Sequence, residues 1–156
     1  MRYVALLLLG ALVSTSIPAV AETATPAVAQ EIIGIVKAEW AAFAKKNVAA
    51  SQTNIAEDYT EFNGDAATRV DGRPLTGRLA EAGTKDPGTR IADEMLNPMV
   101  QVYGDTAILS YNFFGLEQDK DGKVTTIRAK STRVYVKEGG KWMLVHANFA
   151  SDPLPQ

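Results

Sequence analysis

The chain has no cysteine and a single histidine among its 156 residues. The first absence excludes disulfide frameworks, zinc ribbons, thiolate iron–sulfur ligation, a thiol nucleophile and a lipid-modified N-terminal cysteine. The second excludes paired-histidine metal sites of the H-E-x-x-H kind. A strong charge of either sign is also missing. With 16 basic and 18 acidic side chains, the formal charge is −2, so no bulk basic field points to nucleic acid or an anionic membrane. There is no N-x-Ser/Thr sequon. The length suits one domain, at about 100–200 residues per domain. No metal and no cofactor is expected.

Long hydrophobic runs are absent beyond the N-terminus. There, residues 3–13 form an apolar run behind Arg2, broken by Ser14-Thr15-Ser16 and followed by Ala19-Val20-Ala21, a small-x-small cleavage pattern. The run is too short for a bilayer, which takes about 20 residues. Residues 1–21 therefore read as a secretory signal. The mature protein is expected to be secreted or periplasmic, with no membrane contact after cleavage. A second such pattern, Ala27-Val28-Ala29, leaves the cleavage point open.

What remains reads as a mobile lead-in at 22–29, one domain at 30–152 and a short tail at 153–156. Ile33, Val36, Trp40 and Phe43 recur at spacings of three and four, which predicts a helix over 30–46 with Lys37, Glu39, Lys45 and Lys46 off the stripe. Trp40 and Phe43 are either core packing or an aromatic wall. A second short helix is expected at 48–55, short strands at 59–62 and 68–70, and a short helix at 75–83. From 91 onward the pattern is β, with strands at 94–103, 106–117, 124–137 and 141–150 joined by short glycine-containing turns. Asp119-Lys120-Asp121-Gly122 reads as one such turn, since it lacks the remaining ligands of a calcium loop. The order predicts an α+β protein in which helices cover one face of a curved antiparallel sheet.

The strands carry apolar residues on both faces. Trp142, Leu144 and His146 alternate with Met143, Val145, Ala147 and Phe149, and Thr106 to Phe114 behaves alike. An antiparallel sheet with one wet face would alternate with polar residues. Helices cover one side only, so a second copy is expected on the other, giving a homodimer or larger assembly.

The second half carries a more specific pattern. Leu96-Asn97-Pro98-x-Val100-x-Val102-x-Gly104-Asp105 leads to Ala107-Ile108-x-Ser110-Tyr111. Asp121-Gly122-Lys123 leads to Ser131-Thr132-Arg133-Val134-Tyr135, and Gly140-Lys141-Trp142-x-x-Val145-His146 and Ser151 follow. This resembles the association (hub) domain of calcium/calmodulin-dependent protein kinase II. More broadly it resembles the nuclear transport factor 2-like superfamily, with its ketosteroid isomerases and SnoaL-like polyketide cyclases. The resemblance implies a cone-shaped curved antiparallel sheet wrapped around a long N-terminal helix, an internal pocket at the wide end, and oligomerisation through the outer sheet face. No kinase domain accompanies it.

The resemblance also selects residues. Arg133 matches an arginine that in the family points into the pocket and meets acidic ligands. A guanidinium there would hold a carboxylate by bidentate bonds. It could equally pair with Glu61 or Asp58, or lie at a solvated edge. The family's second pocket arginine is replaced by Phe113, which makes the pocket more apolar. His146 matches the family's valine–histidine and is either a general acid or base or a strand histidine satisfied by a neighbour. Tyr111 is a pocket hydroxyl donor or a packing residue. Ser131 and Tyr135 share the parity of Arg133 and would line the same face, with Trp40 as a further wall. Among the carboxylates Asp58, Glu61, Asp93 and Glu94, spacing does not choose, and no catalytic residue is assigned.

Two functions follow. The first is an exported oligomeric association module whose pocket holds a small, carboxylated molecule. The second is a small isomerase, cyclase or dehydratase acting on an apolar carbonyl compound. An enclosed carboxylate facing a tyrosine would favour the enzyme. A pocket with no acid beyond the partner of Arg133 would favour binding.

Overall fold

The protein, seen in a computed structural model, is described over residues 22–85 and 88–152. The signal reading of 1–21 and the tail at 153–156 lie outside the described residues. The elements are β1 (Glu22–Thr23), α1 (Pro26–Ala44), α2 (Val48–Ser51), β2 (Ile55–Phe62), β3 (Val70–Asp71), α3 (Arg73–Gly83), β4 (Thr89–Tyr103), β5 (Thr106–Gln118), β6 (Val124–Glu138) and β7 (Lys141–Ser151). They form one mixed sheet of seven strands in the order β1-β4-β5-β6-β7-β2-β3.

The segment 22–29 is structured, contrary to the expected mobile lead-in. Its first two residues pair with Val102 and Gln101 of β4. The Thr25 side chain caps α1 by accepting from the Val28 N–H at 3.4 Å, and Pro26 takes the first turn, where its missing N–H costs nothing. Ile32 and Val36 of α1 are fully buried against the sheet, while Phe43 is 39% exposed. The buried stripe therefore runs Ile32–Val36–Trp40, one residue offset from the expected start at Ile33.

The four long strands fall within a few residues of their predicted bounds. Gly104-Asp105 and Gly139-Gly140 close two-residue hairpins, with Tyr103 opposite Thr106 and Glu138 opposite Lys141. Gly139 and Gly140 both have positive φ (55° and 83°), the geometry a right-twisted hairpin requires. The Asp119 loop is a turn, its carboxylate accepting the backbone N–H groups of Asp121 and Lys123.

Two expectations are corrected. The sheet is not wholly antiparallel: β2 runs parallel to β7, because the 62–141 crossover returns the chain to that edge in the same direction. The alternation in β7 is also not continuous. Tyr135 pairs with Leu144 but Val134 pairs with His146, so Val145 is an extra, bulged residue. A one-residue bulge exchanges the faces of everything beyond it. Trp142, Leu144, Ala147 and Phe149 thus face inward, and His146 faces out. Bulges in β4, one of them at Asn97-Pro98 with Asn97 at φ 51°, bend that strand as well.

The inner face and α1 share one core, in which Tyr59, Tyr135, Leu109 and Leu144 join Ile32 and Val36 as fully buried side chains. Burying each aliphatic one contributes about 1.5–3 kcal/mol.

Candidate functional site

Arg133 projects from the middle of β6 into this core and is 3% exposed. Its partner is neither Glu61 nor Asp58 but Glu39 of α1. Nη1 donates to Glu39 Oε2 at 2.7 Å and Nη2 to Oε1 at 3.2 Å, while Nε donates to the Tyr111 hydroxyl at 3.1 Å. The guanidinium also lies 5.1 Å from the Phe149 ring centre. Burial works against the charge. Glu39, together with Tyr111 and Tyr135, more than offsets it, so the arginine pKa is held well above its ordinary value. Arg133 is a permanent cation with a donor on each of its three nitrogens engaged.

Glu39 had a signal in the sequence. It lies three residues after Val36 and seven after Ile32, on the inward face. Setting the stripe one residue late hid it.

Two hollows open beside this pair. The larger, about 410 Å³, lies between α1, α3 and the β2 and β4 ends of the sheet. The smaller recess, about 200 Å³, is lined by Trp40, Tyr111, Ser131 and Arg133. Trp40, Phe113 and Phe149 line both and divide them. The Trp40 ring stands edge-on to Phe113 at 5.2 Å and tilted to Tyr111 at 5.9 Å.

Four of the six expected site residues therefore meet in one recess. Tyr135 shares their face but is wholly buried, and its hydroxyl has no hydrogen-bond partner among the described residues. Burial pushes its pKa above the usual phenol range. His146 is on the other side of the sheet. It shares a 2.8 Å hydrogen bond with the Thr60 hydroxyl and sits edge-on to Phe62, and it lines neither hollow. The Val145 bulge is the cause, and the Thr60 contact is the one a strand histidine satisfied by a neighbour would make.

Of the unplaced carboxylates, Glu61 and Asp93 line the larger hollow, while Asp58 and Glu94 are exposed. Glu61 accepts from the Tyr59 hydroxyl at 2.7 Å and from the Asn63 amide. Burial, reinforced by Glu61, raises the Tyr59 pKa far above its ordinary value, so the hydroxyl remains a donor. Arg90 enters from the start of β4, just ahead of the stretch read from sequence as β. Its Nη1 reaches Asp93 at 3.2 Å and Nη2 reaches Glu117 at 3.7 Å, and its guanidinium carbon lies 5.7 Å from the Phe113 ring centre. Burial raises the Asp93 pKa, with Arg90 pulling against it.

A helix packed on the concave face of such a sheet, with a hollow at the open end, is the cone fold of nuclear transport factor 2-like proteins. A superfamily member from Salmonella enterica superposes with a TM-score of 0.73 at 16% identity, over 85% of this chain and 96% of that one. The profile of the calcium/calmodulin dependent protein kinase II association domain matches residues 28–153, and the chain belongs to that family. The association domain of the Caenorhabditis elegans kinase is 24% identical with a TM-score of 0.69, over 80% of this chain and 96% of that one. The hub of the S. rosetta kinase is 25% identical with a TM-score of 0.65, over 83% and 98%. A search of curated proteins finds no match.

Proposed function

We propose that the protein is an exported, self-associating module whose interior hollow holds a small molecule. The observation that carries self-association is the convex face of the sheet. Ile108, Val134, Val136, Met143 and Val145 lie there only half-buried, and Met99 beside them is 59% exposed, although α1 packs on the other side. A contiguous apolar face of this kind is covered by a partner in stable proteins, and a second copy offers the same face in return. Family membership supports the reading, as does the S. rosetta relative described as a hub. Export rests on the N-terminal sequence pattern.

The ligand is held differently from the way the sequence suggests. Arg133 already holds the Glu39 carboxylate in bidentate geometry, so a ligand carboxylate would compete with Glu39 for it.

The enzyme reading has one observation in its favour, the Glu61 carboxylate facing Tyr59. It comes second because acid–base chemistry needs its groups to converge on one reacting atom. The proton of Tyr59 is spent on Glu61 itself. The other tyrosine that meets open space, Tyr111, is across the Trp40–Phe113–Phe149 wall.

Native mass spectrometry of protein purified from its own host tests all three parts. The expected result is a dimer or larger species, a start near residue 22 and a retained small molecule. A monomer at micromolar concentration overturns self-association, an intact residue 1–21 segment overturns export, and a ligand-free protein weakens the binding reading.

A further inference from the structure

The larger hollow has an uneven charge balance. Among the described residues Arg90 is the only cation in its wall, and it is consumed by Asp93 and Glu117. The tip of Arg90 fills the notch at Gly115, where an added Cβ would lie 2.9 Å from Nη1. Arg133, behind the aromatic wall, is consumed by Glu39. Glu61 and Asp65 also line the hollow, and neither has an ion-pair partner among the described residues. The donors on Glu61 are neutral, so they fix its oxygens without cancelling its charge. Gln52 also lines the hollow, and its buried Oε1 has no hydrogen-bond partner among the described residues. Much of the remaining wall is apolar, with Trp40, Phe43, Phe113 and Phe149 beside aliphatic residues such as Val70 and Leu79. Aromatic faces attract cations, and unpaired acceptors call for donors.

We propose that the larger hollow binds an organic cation: a primary ammonium seated at Glu61, on a compact apolar body held against Trp40, Phe113 and Phe149. This rests on the reading of the hollow as a small-molecule site and reverses the charge expected from Arg133. Glu61 supplies the ion pair, Asp65 draws cations toward the rim, and the apolar body covers the dividing wall.

Titration calorimetry of the assembled protein with three probes of similar shape tests it: 2-phenylethylamine, 2-phenylethanol and 3-phenylpropionate. The amine is expected to bind at least about tenfold more tightly than the alcohol, the difference between a charged and a neutral hydrogen bond. The carboxylate is expected to bind most weakly. Glu61→Gln keeps an acceptor for Tyr59 and should remove the amine's advantage while leaving the alcohol within about twofold. The wild-type series decides the matter even where that variant fails to fold. Equal or tighter binding of the carboxylate overturns the cation assignment and leaves the small-molecule reading standing. Failure of all three probes on an intact assembly overturns that reading, and the cation with it.

Discussion

The two faces of β5, β6 and β7 are built from alternating residues of the same strands, yet they solve opposite problems. The concave face carries an arginine, a serine and two tyrosines at Arg133, Ser131, Tyr111 and Tyr135, all buried. The convex face carries valines, an isoleucine and a methionine that stay half-exposed. Polarity therefore does not predict depth in this sheet. A charge is tolerated inside because a helix delivers its counter-charge in bidentate geometry. Apolar side chains stand outside where the proposed self-association would cover them. Burial follows from whether a partner is present, and on the concave side that partner is a helix.

The contrast can be broken first from the inside. Glu39→Ala leaves the Arg133 guanidinium buried without its counter-charge. Denaturant unfolding should show a loss of about 3–5 kcal/mol, the cost of an orphaned buried ion. The double variant Glu39→Leu with Arg133→Met should recover most of it. A loss as large in the double variant would mean that packing, not charge, ties α1 to β6.

From the outside, Val134→Asp puts a charge in the centre of the convex face. Sedimentation should show association weakened by about two orders of magnitude in affinity, roughly 2.7 kcal/mol, with the circular dichroism of the fold retained. An unchanged assembly would place the contact elsewhere on the molecule.

Gly115→Ala probes the inner face more gently. The new methyl would lie 2.8 Å from Phe113 Cζ and 2.9 Å from Arg90 Nη1, both at the ends of side chains that can move. A stability loss of about 1 kcal/mol is expected in urea unfolding. A loss several times larger would show that Arg90 and Phe113 are locked.

The smallest effect belongs to the outer edge. Thr60→Val removes the hydrogen bond to His146, and thermal unfolding should register about 0.5–1 kcal/mol. Ligand binding in the hollow should not change, and a change would tie His146 to the interior after all.

The fold was legible where one strong periodicity ran uninterrupted. The four long strands and their turns follow directly from alternation and glycine placement, and α1 from its three-and-four spacing. The site was legible only in part. Trp40, Tyr111, Ser131 and Arg133 meet because regular β parity and helix periodicity carry them to one place. His146 was misplaced by a bulge, which has no sequence signal in a stretch where every residue is apolar. Glu39, Arg90 and Glu61 were missed or left unplaced because their roles depend on pairings across elements far apart in the chain. Glu39 and Arg133 are 94 positions apart. The parallel contact of β2 with β7 is hidden for the same reason.

The bulge at Val145 has one more consequence. It works as a frame change in the chain: residues after it are read onto the opposite face from residues before it. Ironing out the bulge with Val145 retained would turn the only histidine toward the aromatic interior and bring Ala147 and Phe149 out onto the convex side, whereas deleting Val145 would restore plain alternation with His146 still outward. The chemistry of the hollow and the stickiness of the exterior are thus linked through one position. A one-codon deletion at this position is therefore expected to give a straighter strand with the same residues on each face.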